Sequence, residues 1–92
     1  MPKLLILAQD GNRREIELTA KELRLGRAPN ADVPLLDPDK GVSRMHAEIR
    51  YENGRYVIID LNSQNGTWMN GERIQREYLA AGVEVTIGPY RL

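Results

Sequence analysis

Short stretches in which apolar and polar side chains alternate recur along the chain, and they predict β-strands. Residues 15–18, 46–51 and 83–87 each follow the period of two that is typical of a strand with one buried face. The apolar run 4–8 predicts a strand that is apolar on both faces, and the run 57–59 suggests a strand that is buried on both faces. No stretch has the roughly 3.6-residue period of an amphipathic helix, so the pattern predicts an all-β fold.

Glycine, asparagine, aspartate and proline separate these stretches and predict tight turns. The Asn-Gly pair at 53–54 is the strongest hairpin signal in the chain, because a two-residue turn of type I′ needs positive φ at both positions. A second Asn-Gly pair at 70–71 and the Asp-Gly pair at 10–11 have the same chemistry. Pro34 confines a short strand to a sheet edge, since proline donates no ladder hydrogen bond. Many short strands joined in this way predict a β-sandwich.

Length and charge restrict the class of protein and the class of partner. With 92 residues the chain is one domain, 1–92, with a single modest core. Lysine plus arginine and aspartate plus glutamate both number 13, and the zero net charge argues against nucleic acid and anionic membranes as partners. There is no cysteine, and the apolar run 4–8 is far shorter than the roughly 18 residues of a membrane span. We therefore expect a cytoplasmic domain that is monomeric in isolation.

Two polar segments flank the predicted hairpin and carry small hydroxyl, amide and glycine residues. They are 43–46 (Ser-Arg-Met-His) and 63–67 (Ser-Gln-Asn-Gly-Thr), and Gly26-Arg27 adds a positive charge upstream. Such side chains suit hydrogen bonding to an anion and to an extended backbone. Arg27 offers a forked pair of donors to a phosphate, and Ser43 adds a hydroxyl donor. Glycines let backbone N–H groups approach an anion without a Cβ clash.

Four motifs in this order resemble the forkhead-associated (FHA) domain over essentially the whole chain. One such motif is weak, whereas four in the right order on alternating strands are specific. The resemblance implies an eleven-stranded β-sandwich whose loops at one end bind phosphothreonine peptides. We expect its last strand to be cut short at Leu92, as in a domain that belongs to a longer protein. The motifs are Gly26-Arg27, Ser43-Arg44-x-His46, Ser63-x-Asn65-Gly66-Thr67 and Asn70-Gly71.

The resemblance also implies a role for each matching residue of the site. Arg27 grips the phosphate, Ser43 hydrogen-bonds it, and Arg44 supplies a second contact. Asn65 holds the main chain of the peptide. Gln64 stands where some members have threonine, so we expect a contact through its backbone N–H.

Phosphothreonine differs from phosphoserine by one methyl group, and we expect a small apolar niche for that methyl. By resemblance, Asn65 and the backbone around Gly66 and Thr67 line the niche, which makes Thr67 part of the binding surface. The remaining motif positions are structural: Gly26, His46, Gly66, Asn70 and Gly71.

Arg27 and the largest side chains also have plainer interpretations. Arg27 is a candidate for a surface ion pair with Asp32 or Glu22. The core is the expected place for Tyr51, Tyr56, Trp68 and Val85.

His46 is interpreted as a hydrogen-bonded strut rather than as a ligand or a base. It is the one histidine of a chain without cysteine, which makes a zinc site implausible. Ser43 and His46 suggest a nucleophile and its base, but positions i and i+3 of an extended chain point to opposite faces. We therefore expect no metal, no cofactor and no catalysis.

The sequence leads to two functional hypotheses. The first is a phosphothreonine-dependent module that recruits phosphorylated partners in Ser/Thr kinase signalling, or binds a phosphorylated segment of its own parent chain. The alternative is an interaction module of the same fold that docks a partner through a sheet face without phosphate. A phosphorylated peptide and its unphosphorylated twin distinguish the two.

Overall fold

The computed structural model describes residues 3–8, 11–18, 22–35, 41–80 and 82–92, which form two β-sheets around one apolar core. Within these residues there are eleven strands, as predicted. The six-stranded sheet has the order β2-β1-β11-β10-β7-β8 and comprises β1 (Lys3–Leu7), β2 (Arg13–Glu17), β7 (Thr67–Met69), β8 (Glu72–Ile74), β10 (Val85–Ile87) and β11 (Tyr90–Arg91). The five-stranded sheet has the order β4-β3-β5-β6-β9 and comprises β3 (Glu22–Gly26), β4 (Val33–Pro34), β5 (Ala47–Glu52), β6 (Arg55–Asp60) and β9 (Arg76–Tyr78).

Two hairpins follow directly from their turn sequences. Asn53 and Gly54 have φ of 53° and 77°, and Asn70 and Gly71 have φ of 51° and 85°. Positive φ at both central positions is the type I′ signature, whose twist matches that of the flanking strands. The first turn joins β5 to β6 and the second joins β7 to β8, as predicted. Asp10, the first residue of the turn predicted at 10–11, lies outside the described residues.

Proline places β4 where the sequence predicts it. Pro34 is the second residue of this strand, which lies at the edge of the five-stranded sheet and pairs only with β3, in parallel. An edge strand tolerates the missing N–H of proline because one side of it needs no ladder partner.

The core lies between the inward faces of the two sheets. Leu25, Ile49 and Ile58 of the five-stranded sheet and Val85 and Ile87 of the other are at most 1% exposed. Each lies at an alternate position of its strand, which is the arrangement that the period of two predicts.

β1 is apolar on both faces, as predicted, and Leu5 on its outer face is 36% exposed. The structure corrects two expectations about burial. Tyr51 was expected in the core but is 51% exposed at the end of β5, where it packs edge-on against the half-buried Tyr56 at 4.9 Å between ring centroids. Trp68 is 37% exposed, because β7 turns Thr67 rather than the tryptophan inward.

Two strand predictions need adjustment at the C-terminal half. Nothing in the pattern predicts β9, since Arg76, Glu77 and Tyr78 are all exposed and the strand pairs with β6 at a sheet edge. The strand predicted at 83–87 is shorter and begins at Val85.

Among the described residues there is no helix long and apolar enough to cross a bilayer.

Candidate functional site

Three loops meet at one end of the sandwich, and backbone hydrogen bonds hold two of them together. The N–H of Arg27 donates to the Ser43 carbonyl at 3.0 Å, and the N–H of Ala28 donates to the Arg44 carbonyl at 3.1 Å. Gly26 permits this contact, because a Cβ at that position would lie 2.0 Å from the Arg44 oxygen. The glycine of the first motif is therefore required by a close approach of two backbones.

Arg27 is fixed by a carbonyl of the neighbouring loop and not by an acid. Its Nε–H donates to the Val42 carbonyl at 3.1 Å, and the side chain is half-buried. Asp32, the suggested ion-pair partner, instead accepts the backbone N–H of Arg24 at 2.9 Å. In the described part of the chain Arg27 forms no ion pair. The other N–H groups of this guanidinium are the ones a bound anion would use.

Ser43 connects the second loop to the third. Its Oγ accepts the backbone N–H of Gln64 at 3.1 Å, which leaves the hydroxyl proton as a donor for a ligand. The same bond occupies the Gln64 N–H, which was expected to contact the ligand. Gln64 thus lies beside Ser43, but its backbone donor orients the serine.

His46 lies beneath these loops and is fully buried. Its Nδ1 accepts the backbone N–H of Ser43 at 3.0 Å, so Nε2 carries the proton of the neutral ring and donates to the Gly66 carbonyl at 2.8 Å. Burial lowers the pKa of His46 from its ordinary value, although the bond to Gly66 and the charge of Asp60 act in the opposite direction. The neutral imidazole therefore ties the second loop to the third.

Asp60 at the end of β6 holds the third loop from below. Its carboxylate accepts hydrogen bonds from the backbone N–H and the hydroxyl of Ser63, and from the Thr67 hydroxyl at 2.7 Å. Ser63 Oγ in turn accepts the Gly66 N–H at 3.0 Å. Sequence reasoning missed Asp60. The available signal was an aspartate shortly before a serine, because the short side chain of aspartate commonly accepts hydrogen bonds from nearby backbone N–H groups.

The exposed rim of the third loop is formed by Asn65. Its Nδ2 donates to the Gly41 carbonyl at 3.1 Å, and its own carbonyl accepts the indole N–H of Trp68 at 3.0 Å. Arg73 covers Gly66, where a Cβ would lie 2.7 Å from the arginine Nε, and donates to the Ser63 carbonyl at 3.4 Å. Sequence reasoning missed Arg73, which reaches the loop only because β8 pairs with β7.

The structure thus brings most of the expected residues to one surface. Thr67 is not among them, because it is fully buried and its hydroxyl points to Asp60. Asn70 and Gly71 form the turn at the opposite end of β7 from Gly66. The residues brought together around the meeting loops are Arg27, Ser43, Arg44, Gln64 and Asn65.

The chemistry of this surface is that of an anion and peptide site. Arginine, hydroxyl and amide donors come from three loops that are already bonded to one another. Within the described ranges no group of three acidic, histidine or cysteine side chains is placed to hold a metal ion. A largely apolar groove of about 510 Å³ lies between the sheets, lined by Leu18, Ile58 and Val83 among others, and none of the site residues lines it.

Comparison with known proteins agrees with the geometry. The FHA domain family model matches residues 23–88. The glycogen accumulation regulator GarA of Mycolicibacterium smegmatis is 48% identical over 67 residues, which cover 73% of this chain and 41% of GarA. This chain therefore spans less than half of the length of that relative.

Two solved FHA domains have the same fold. One, from a structural and functional study of phosphothreonine-dependent FHA domain interactions, matches with a TM-score of 0.82 at 34% identity and covers 98% of this chain and 92% of the other. The FHA domain of FhaA, complexed with the intracellular domain of Rv3910, has a TM-score of 0.81 at 36% identity, with 95% and 93% coverage. Since the family model spans well over half of the sequence, and the fold matches these two FHA domain structures, this chain belongs to the FHA domain family.

Proposed function

We propose that this domain binds phosphothreonine-containing segments of proteins and thereby recruits phosphorylated partners in Ser/Thr kinase signalling. The observation that carries the proposal is the fixed contact between the first two loops, in which the Arg27 N–H donates to the Ser43 carbonyl. This contact holds the backbones of Arg27 and Ser43 together before a ligand arrives. The related FHA domain structures support the same conclusion.

The donors match the ligand in charge and in number. A phosphothreonine carries nearly two negative charges and three acceptor oxygens. Arg27 offers several N–H groups in a planar fork, and Ser43 adds one hydroxyl. Arg44, exposed in the same loop, adds a second positive charge. The amide of Asn65 can donate to and accept from the extended main chain on either side of the phosphoresidue.

The domain acts, on this proposal, by binding alone. His46 is the residue that catalysis would use, but it is fully buried and both ring nitrogens are engaged. A general base must reach the proton that it removes. We also propose that the domain is monomeric. We propose that it is cytoplasmic, since phosphothreonine is made by kinases that use ATP.

The test is a set of titrations with one peptide in three forms. Phosphothreonine should bind, the unphosphorylated twin should not, and phosphoserine should bind about 10- to 200-fold more weakly, the range for one methyl in a fitted niche. Equal affinity for phosphothreonine and phosphoserine would leave a generic anion site. Equal affinity for phosphorylated and unphosphorylated peptides would favour the phosphate-independent module.

A further inference from the structure

The outer face of the six-stranded sheet carries one transverse row of directly opposed residues that begins at the binding loops. Directly opposed residues in antiparallel strands point to the same face, so the pairings across all six strands define one line. From β8 to β2 this line, the basic row, consists of Arg73, Trp68, Thr86, Arg91, Leu7 and Arg13. With neighbouring strands about 4.8 Å apart, the row is roughly 24 Å long.

The basic row carries exposed positive charge and no acid. Arg73, Arg91 and Arg13 are exposed, and in the part of the chain that the structure describes none of them forms an ion pair. Between them lie Trp68, which is 37% exposed, and the half-buried Leu7. The row thus alternates cationic and apolar surface.

The outer face of the other sheet provides an internal contrast. There Arg50 pairs with Glu48 at 3.2 Å and lies 4.0 Å from Glu52, which is also bonded to Arg76. Arginines on that face are directly opposed to glutamates of the neighbouring strand: Arg24 to Glu48, Arg50 to Glu22 and Arg55 to Glu52. In the basic row, by contrast, no arginine is directly opposed to an acid.

The basic row is continuous with the phosphopeptide loops. Trp68 donates its indole N–H to the Asn65 carbonyl at 3.0 Å. Arg73 covers Gly66 and reaches the Ser63 carbonyl. A segment that leaves the loops along β7 or β8 meets these two side chains first.

We propose that the basic row binds an acidic segment of the same partner that carries the phosphothreonine, continuous with it in sequence and extended across the sheet. This proposal rests on the proposed function. About seven extended residues cover roughly 24 Å. Carboxylates would face the three arginines, and an apolar residue would cover Trp68. The zero net charge of the chain disfavours nucleic acid, which a domain binds through a general basic excess.

The test uses phosphothreonine peptides with a seven-residue extension on either side, made either of Asp and Glu or of Asn and Gln. The double variant R13Q/R91Q removes two arginines of the basic row. The matched control R24Q/R55Q removes two exposed arginines from the outer face of the other sheet. Melting temperatures verify that both variants fold.

For one of the two extension sides, the wild-type domain should bind the acidic peptide about three- to tenfold more tightly than its neutral twin, as expected for a few exposed ion pairs. This ratio should fall to about one in R13Q/R91Q, persist in R24Q/R55Q, and shrink with added salt. A ratio near one in the wild type on both sides overturns the proposal. So does a ratio that R13Q/R91Q leaves unchanged.

Two further measurements distinguish this proposal from a generic anion surface and from a failure of the proposed function. If an oligonucleotide of equal charge competes as well as the acidic peptide, the row is a generic anion surface and the proposal is wrong. If the phosphorylated core peptide binds no better than its unphosphorylated twin, the proposed function fails instead. The basic row is then judged by whether the acidic segment alone prefers the wild type to R13Q/R91Q.

Discussion

At the scale of single residues, the proposed function explains the fixed position of the Arg27 side chain. The bond from Nε to the Val42 carbonyl fixes the guanidinium in the free domain, so less side-chain entropy is lost when an anion binds. Because the anion is absent from the free domain, its attraction to the Arg27 charge contributes little to the free energy of folding. On the proposed function, we therefore expect Arg27 to contribute to binding and not to stability.

Arg27→Ala should weaken binding of a phosphothreonine peptide by about 2–5 kcal/mol, the range for removing one partner of a close charge pair. The free energy of unfolding should change little. Calorimetric titration measures the first quantity and urea denaturation the second. Arg24→Ala, on the strand that precedes this loop, serves as the control and should bind as the wild type does. Normal binding by Arg27→Ala would refute its assignment to the phosphate.

His46 makes stability depend on pH. Burial lowers its pKa in the folded state, so the unfolded chain takes up a proton at a higher pH than the folded one. As pH falls below about 6.5 the unfolded state binds more protons, and the free energy of unfolding decreases until the folded-state pKa is reached. The slope is at most about 1.4 kcal/mol per pH unit.

His46→Gln removes the chain's one histidine and should flatten this part of the profile, at the cost of lower stability at neutral pH. Chemical denaturation of the free domain at several values from pH 7.5 to 5 measures the effect without phosphate in the sample. Parallel profiles for the two proteins would mean that His46 does not titrate in this window.

At the scale of elements, the end of β3 and the loop before β5 approach so closely that one glycine decides their geometry. Gly26→Ala would place a Cβ 2.0 Å from a backbone oxygen that cannot rotate away. We expect a loss of at least about 3 kcal/mol in stability, since backbone must move. The affinity for the phosphopeptide should fall together with the stability, because a backbone shift at Gly26 also displaces Arg27, the next residue.

Gly71→Ala is the matched control for that substitution. Its φ of 85° makes alanine unfavourable, but nothing lies within 4 Å of the added Cβ. The cost should therefore be only about 1–2 kcal/mol, with peptide affinity unchanged. If Gly26→Ala proves as mild as Gly71→Ala in thermal melts, the contact between the two loops is looser than the structure indicates.

The elements that sequence reasoning missed share a physical cause. An edge strand such as β9 buries nothing, so its residues carry no hydrophobic pattern that could predict it. Tyr51 and Trp68 are large and apolar, but their places in the register put them beyond the core or on the outer face. Periodicity indicates that one face of a strand is buried, and the neighbouring strands decide which.

At the scale of the whole molecule, the site depends on both sheets. The first loop begins at the end of β3, and His46 directly precedes β5; both strands belong to the five-stranded sheet. Gly66 directly precedes β7 of the other sheet. A ligand that bridges these loops should therefore stabilise the entire fold. At a free concentration of about 100 times Kd, one bound peptide adds about 2.7 kcal/mol to the free energy of unfolding.

For a domain of this size that stabilisation corresponds to a rise in Tm of about 10 °C or more. Thermal melts with and without a saturating phosphothreonine peptide provide the measurement, and the unphosphorylated twin is the control. Arg27→Ala should lose most of the shift. An equal shift for both peptides would place the binding energy outside the phosphate site.

Turn chemistry and loop motifs were determined by the sequence itself. Asn-Gly fixes a type I′ turn locally, so both hairpins and the all-β class could be predicted without any distant contact. The motif residues Arg27, Ser43 and Asn65 could also be named without any distant contact, because the hydrogen-bonding groups of a side chain depend only on the residue type.

Only the tertiary structure decided which way these residues face and what holds them. Thr67 turns inward because Asp60, seven positions earlier on the neighbouring sheet, offers a carboxylate to its hydroxyl. Arg73 reaches Gly66 because β8 pairs with β7. The basic row exists because β11 lies between β1 and β10, a pairing that joins opposite ends of the chain. Such contacts depend on long-range pairing, which the local pattern of apolar and polar residues does not encode.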